Sequence, residues 1–310
     1  MLECMYNSAR RGENMSLITK DGTGRSIPIV FQSEDPFSSD NYNMYRIIII
    51  KSGSGIINLN DASFVIVAPT VICLNEKDEI SLEKDNSIDA EIIYFLPTTI
   101  HDAFSIDDLN KKTKQLHKKH IKNFSLLLPF IHRTESFKGI LSISFRSIKR
   151  LTNLSSALEK ETSNFENGFW PCRSRSFFLE ILFLLQYILT DNEKNDTIPL
   201  VNVSSELKEV LLYLHTNYSD KITVQKLAKK FNINRTTLSE NFLAEIGQTI
   251  KQYIIQIRIK VASMLLKDTL IPISEITYRV GYNNSTHFTR TFKKHLDMLP
   301  SEYRKTMSEL

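Results

Sequence analysis

Cysteine is scarce in this sequence. Three thiols in 310 residues, Cys4, Cys73 and Cys172, stand far apart with no Cys-x-x-Cys spacing. They offer neither a disulfide framework nor a four-ligand zinc site, and such usage fits a reducing cytoplasm. Long hydrophobic runs are also missing. The most apolar stretch, 177–189, contains Glu180 and Gln186 and falls short of the roughly 20 residues of a membrane span, so a buried helix is expected there. The N-terminal MLECMYNSARRGENMS lacks the apolar core of a secretory signal. Charge of one sign is not in large excess either, the net value being +4.

What is present suits a folded protein of two domains. The chain is longer than a typical single domain, and 42% hydrophobic with 24% charged residues supplies apolar material for two cores. The charge is unevenly spread. Residues 201–310 hold 16 Lys+Arg against 10 Asp+Glu, while the first 200 hold 23 against 25. A basic C-terminal part beside a slightly acidic N-terminal part suits a domain that meets phosphates next to one that does not; a solvated basic surface gives the same balance.

Residues 15–98 read as strands. MYRIIIIK (44–51), GIINLN (55–60), SFVIVAP (63–69) and AEIIYFLP (90–97) are short, β-branched or aromatic, and punctuated by Gly, Asn, Asp or Pro. No helix-period segment lies between them, which points to an antiparallel barrel or sandwich and disfavours a phosphorylatable receiver domain. After residue 101 the period changes. In 138–163, Leu141, Phe145, Ile148, Leu151, Leu154 and Leu158 recur at helical steps, and 175–189 is apolar on nearly every side. These two helices either cover the sheet or pair with a second subunit. Residues 190–204 are polar and aperiodic, a linker, whose core is set at 196–204. Everything from Ser205 is helical.

The segment ITVQKLAKKFNINRTTLSENFLAEIG (222–247) carries most information. A first helix turns Leu227, Ala228 and Phe231 inward, and Ala228 lets a second helix cross closely. Asn232 suits a left-handed turn residue, and Asn234 an N-cap, before a helix burying Leu238 and Phe242. Two short helices across a tight turn present the second one to the DNA major groove. The pattern recurs in ISEITYRVGYNNSTHFTRTFKKHL (273–296): Gly281 makes the turn, Asn283 or Asn284 the cap, and Phe288 and Phe292 point inward. The second helices align at an offset of 50 residues and the first at 49, and two units in register are a far stronger signal than one. Between them Ile250, Tyr253, Ile254, Ile257, Val261, Met264 and Leu265 line a single helix from Thr249 to Lys267. Its length is roughly 28 Å, close to one DNA turn of about 34 Å.

Residues 205–310 resemble the DNA-binding domain of the AraC/XylS family of bacterial regulators. The resemblance rests on LAKKF..N..TLS..F (227–242), Gly247, Tyr253, Arg258, Ala262, Leu265–Leu266, I..I..RVGY (273–282), HFTRTFKKHL (287–296) and P..YR (300–304). Thr277 stands where the family has a small alanine, adding bulk at a helix crossing. Asp297 replaces a glycine and Asn234 a serine, both keeping turn and cap chemistry. The β-rich part resembles, more loosely, the cupin-like sensor half of such regulators through YRIIIIKSGSGIINLN (45–60). All seven histidines follow residue 100, so the histidine cluster of metal-bearing cupin enzymes is missing. The cysteine cluster of repair proteins with this DNA-binding half is missing too.

The resemblance implies a cupin-like β sensor region (1–100), a helical subdomain suited to dimerisation (101–195), and an AraC-type DNA-binding domain (205–310) with helix-turn-helix units at 224–245 and 273–296. Base-facing positions are Arg235, Thr236, Ser239 and Glu240 in the first unit, and Ser285, Thr286, His287, Thr289 and Arg290 in the second. Arg290 suits guanine, Glu240 the cytosine amino group and the threonine methyls thymine; each position could equally be solvated or touch phosphate. Lys229, Lys230, Lys293 and Lys294 are phosphate partners, which position without specifying. The expected function is an effector-responsive cytoplasmic transcription regulator, an activator by family habit, without catalysis, cofactor, metal or membrane. Its partners would be double-stranded DNA, a second copy of itself, RNA polymerase and a small-molecule effector. Lys51, Tyr45 and Tyr94 are effector-site residues only in lying on sensor strands, and the tyrosines also suit core packing. One alternative keeps DNA binding with a β-domain that serves oligomerisation or a protein partner. The remote one is a cupin-type enzyme fused to DNA-binding helices.

Overall fold

The computed structural model describes residues 19–22, 24–32, 36–37, 43–135, 137–165, 168–191, 200 and 203–308. Two short strands, β1 (Thr19–Lys20) and β2 (Ser26–Ile27), form a ribbon. A six-stranded antiparallel sheet follows, from β3 (Ile29–Gln32), β4 (Tyr45–Leu59), β5 (Ala62–Val67), β6 (Thr70–Leu74), β7 (Ile80–Phe95) and β8 (Ile140–Ser142). Its order is β3-β7-β4-β6-β8, with β5 also on β4.

Two expected strands, 44–51 and 55–60, are one. Gly53 and Gly55 do not end β4, because its ladder with β7 absorbs Gly53 in register shifts between Ile50 and Ser54 and pairs Gly55 with Asp85. Gly53 has φ of +87°, and a Cβ there would lie 2.1 Å from Ser87 O. The glycine makes a bulge that bends the strand rather than a turn that stops it.

The run Ile47–Ile50 is apolar throughout because both sheet faces are covered. Ile47 and Ile49 join Val71, Cys73, Ile93 and Phe95 in a core shared with the helices. Ile48 and Ile50 face the other way, with Ile57, Phe64, Ile72, Leu74, Ile92 and Tyr94. At one end a polar network closes the sheet. The Asp78 carboxylate accepts from Asn60 Nδ2 at 2.9 Å, Asn75 N at 3.0 Å and Arg133 Nη2 at 2.7 Å, and Arg46 donates to the Asp78 carbonyl. Cys73 is buried, which pushes its thiol up to about 12 and leaves it inert.

Helix α1 (Ile106–Lys119) leads through single turns at Ile121–Phe124 and Leu128–Ile131 back to the sheet. The helix expected over 138–163 starts later, as α2 (Phe145–Ser163). Residues 140–142 pair instead with β6, so Leu141 is a strand residue and not part of the helical stripe. Ser144 then caps α2 by accepting from Ser147 N at 3.0 Å. Its partner α3 (Trp170–Asp191) contains the apolar stretch that the sequence placed in a helix. No described helix is long and apolar enough to cross a membrane.

The linker expected at 196–204 lies mostly outside the described residues. Leu200 is buried and its N donates to Ser63 O at 2.8 Å. Then come α4 (Ser205–Thr216), α5 (Val224–Lys230), α6 (Arg235–Ile246), α7 (Ile250–Asp268), α8 (Ile273–Arg279), α9 (Ser285–Leu296) and α10 (Pro300–Ser308). They build two cores. One holds Leu207, Leu211, Leu227, Leu238, Phe242 and Ile254; the other holds Ala262, Leu266, Ile276, Val280, Phe288 and Phe292.

Helix α7 serves both, and the single expected stripe is corrected accordingly. Ile250, Tyr253, Ile254 and Ile257 enter the first core, while Ile259, Ala262 and Leu266 enter the second. At about 100° per residue these sets lie on roughly opposite sides of the helix. Met264 and Leu265 are only half-buried.

The helical domain rests on the sheet through α4. Lys208 Nζ reaches Ser63 Oγ at 2.8 Å and Glu83 at 3.3 Å, Lys84 pairs with Glu209 at 2.5 Å, and Ser54 meets Thr216 at 3.2 Å. A second bridge joins α7 to α2, where the Asp268 carboxylate accepts from Phe145 N at 2.9 Å.

Candidate nucleic-acid interface

Two helix pairs, α5–α6 and α8–α9, repeat one construction. In the first, Thr223 caps α5 by accepting from Lys226 N at 3.2 Å. The chain leaves α5 through Asn232 at φ of +54°, and Ile233 N returns to Ala228 O at 2.9 Å. In the second, Gly281 takes the left-handed position at φ of +85°, and Tyr282 N returns to Thr277 O at 3.0 Å. Asn accepts this conformation at modest cost and Gly at none, so different residues make the same turn.

Both second helices begin on an asparagine. Asn234 accepts from Thr236 N at 2.8 Å, and Asn284 accepts from Thr286 N at 2.8 Å and His287 N at 3.1 Å. Of the two caps open in the sequence, Asn284 is the one used. The extra residue at Asn283 makes the second turn longer by one. Inward, Leu238, Phe242, Phe288 and Phe292 are fully buried. The Phe288 and Phe292 rings lie 5.6 Å apart, and Phe292 stands equally far from Tyr303 of α10. Helices α6 and α9 both end in left-handed residues, Gly247 and Asp297. Thr277 is fully buried at its helix crossing. Its hydroxyl donates back to Ile273 O at 2.8 Å and so needs no other partner.

The buried face leaves the opposite one free. Arg235, Thr236, Ser239 and Glu240 are exposed on α6; Ser285, Thr286, His287 and Arg290 are exposed on α9, with Thr289 half-buried. Among the described residues Arg235, Glu240 and Arg290 enter no salt bridge, so each stays available to a ligand. Ser239 Oγ is turned to Arg235 O at 2.9 Å, and the His287 ring leans on Tyr282 at 5.4 Å. Lys229, Lys230, Lys293 and Lys294 are exposed beside the helices. Lys230 Nζ sits 4.7 Å over the Tyr213 ring, which restricts where its charge points.

The strand residues weighed for an effector lie apart. Tyr45 is buried against Phe95 and Phe130, Tyr94 lies in the other sheet core, and Lys51 pairs with Asp89 and Glu91. Among the described residues no group of three or more His, Cys, Asp or Glu is placed to hold a metal.

One residue escaped a role in the sequence reading. Arg258 of α7 is half-buried between the two halves and donates to three backbone carbonyls. A cation next to the apolar stripe of a long helix was the available signal.

Comparison with known proteins places these features. A helix-turn-helix domain family matches residues 227–306. The lactose operon transcription activator of Staphylococcus xylosus is 32% identical over 164 residues, 52% of this chain and 54% of that protein. The chain thus spans about half the length of that relative. The HTH-type transcriptional activator RhaS of Escherichia coli is 23% identical over 271 residues, 87% of this chain and 88% of that one. Among solved structures, the C-terminal domain of AraT, a response regulator from Geobacillus stearothermophilus, is 30% identical with a TM-score of 0.33, covering 34% of this chain and 88% of that one. Both curated relatives are named as transcription activators, and residues 227–306 of this chain match a helix-turn-helix domain family.

Proposed function

We propose that this chain is a sequence-specific transcription activator that reads DNA with two helix-turn-helix units. The observation that carries the reading is the repeated asparagine cap, followed in α6 and α9 by a first turn of exposed polar side chains that enter no salt bridge among the described residues. Arg235, Thr236, Ser239 and Glu240 face bases in one groove; Ser285, Thr286, His287, Thr289 and Arg290 face them in the next. Lys229, Lys230, Lys293 and Lys294 hold phosphates. The activator relatives support the sign of regulation, and activation brings in RNA polymerase as partner. Such a protein works in the cytoplasm.

Selecting bound fragments from genomic DNA tests this directly. Arg290→Ala should weaken the selected site by about 1–3 kcal/mol while leaving random DNA unchanged. Equal loss on both would reduce Arg290 to a backbone contact. The logarithm of affinity should fall by about 0.9 per neutralised phosphate for each unit of log salt.

The N-terminal part is then a cupin-like unit with a helical dimerisation subdomain. Helix α3 presents Ser176 and Phe183 at a seven-residue step, with Tyr187 one turn on, and Phe183 and Tyr187 are 57% and 61% exposed. A seam of this period suits a second copy of the helix. Phe183→Glu should give monomers by sedimentation velocity where the unmodified protein gives dimers; identical profiles would reject the seam. An effector would act by population shift, changing how the helical domain rests on the sheet through α4 and Asp268.

A second reading dispenses with the small molecule. The inner sheet face is filled by Ile48, Ile50, Phe64, Ile72, Leu74 and Ile92, each at most 2% exposed, which favours a structural or protein-binding role. Thermal denaturation across sugars, fatty acids and amines separates the two readings. A ligand at a hundred times its Kd adds about 2.7 kcal/mol, and no shift over a broad panel supports the second.

A further inference from the structure

The two halves of the helical domain have separate cores, and apart from α7 little connects them. Arg258 does. Its Nε donates to Tyr218 O at 2.7 Å and its Nη2 to Asp220 O at 2.8 Å, both in the loop between α4 and α5 of the first half. Its Nη1 donates to Gly281 O at 2.9 Å, in the turn between α8 and α9 of the second. The guanidinium carbon lies 5.5 Å from the centre of the Tyr282 ring. The loop and the turn touch closely, since a Cβ on Gly281 would come within 2.5 Å of Ser219 O.

We propose that Arg258 is a positioning residue that sets the spacing and rotation of the two recognition helices, and so the separation of the two DNA segments this chain accepts. The inference rests on reading both helix pairs as DNA readers. A planar fork of fixed donors suits the task. Its coplanar N–H groups reach two carbonyls of one half and one of the other, whereas a lysine ammonium is a point donor on a flexible stem. All three acceptors are backbone, so the clamp fixes the main chain itself. Gly281 makes the second turn and leaves room for this contact.

Two measurements on the full chain test it. First, spin labels at Asn241→Cys and Lys294→Cys, with Cys4→Ser and Cys172→Ser, report the distance between α6 and α9. Arg258→Ala should broaden a single narrow distribution, and Arg258→Lys should broaden it less. An unchanged distribution overturns the inference. Second, selection from randomised duplexes should return two sequence blocks at one separation for the unmodified protein. Arg258→Ala should return the same blocks at several separations. Affinity for the original spacing should fall about tenfold or more, because joined readers gain about 10²–10⁴-fold only when both can engage. The same single spacing at the same affinity also overturns it. If the unmodified protein selects no paired blocks, the reading of two DNA readers fails, and the label distances alone then judge the clamp. Both variants keep all the apolar side chains of the two cores, so circular dichroism should match the unmodified protein.

Discussion

Phe292→Ala should remove about 3–5 kcal/mol of stability and unfold the second half of the helical domain while the first survives. Phe292 is fully buried and packs between Phe288 and Tyr303. The core it anchors has eight buried members, and among the described residues only the half-buried Val261 is shared with the first core. So small a core cannot absorb a cavity the size of a phenyl ring, because neighbours relax only partly around it. Amide hydrogen exchange resolves the outcome by segment. Protection should collapse in α8, α9 and α10 and persist in α5 and α6. Equal loss across both halves would mean that α7 couples them into one cooperative unit.

Acid should destabilise the first half through His215. This imidazole shares a hydrogen bond of 2.9 Å with the Tyr253 hydroxyl, and burial pushes it from 6.5 down to about 4, with Lys260 adding to the effect. The folded state therefore resists a proton that the unfolded chain takes up below pH 6.5. The neutral side chain's contribution is complete above that pH and drains away as pH falls toward 4. The full displacement corresponds to about 3 kcal/mol, an upper bound because part of the residue still touches solvent. Denaturant titrations between pH 7 and 4 should show the loss, and His215→Gln should flatten it. A profile equally steep in that variant would assign the acid sensitivity to other groups. Tyr253 shifts in the opposite sense, its hydroxyl held protonated by the same burial.

The helical domain is built in two parts. Helices α6 and α9 are each carried by a small core of their own, and their relation is left to α7 and to the loop contacts around Arg258. Independent cores let one sequence pattern serve twice. They also make the geometry between the pairs a separate structural problem, which apolar packing alone leaves loose.

What the amino-acid sequence determined by itself was local. Leu238, Phe242, Phe288 and Phe292 at helical steps, Asn234 as a cap and Gly281 as a turn each act within a few residues of their own position, where spacing fixes geometry. The length of α7 is of the same kind. Tertiary structure decided what depends on distant partners. Gly53 became a bulge because β7 lies beside it, Ile140–Ser142 left the helical pattern because β6 offered an edge, and α7 turned opposite faces to two cores. The role of Arg258 could come only from the fold, since its acceptors stand 40, 38 and 23 residues away. Backbone carbonyls also carry no side-chain identity that a sequence could display.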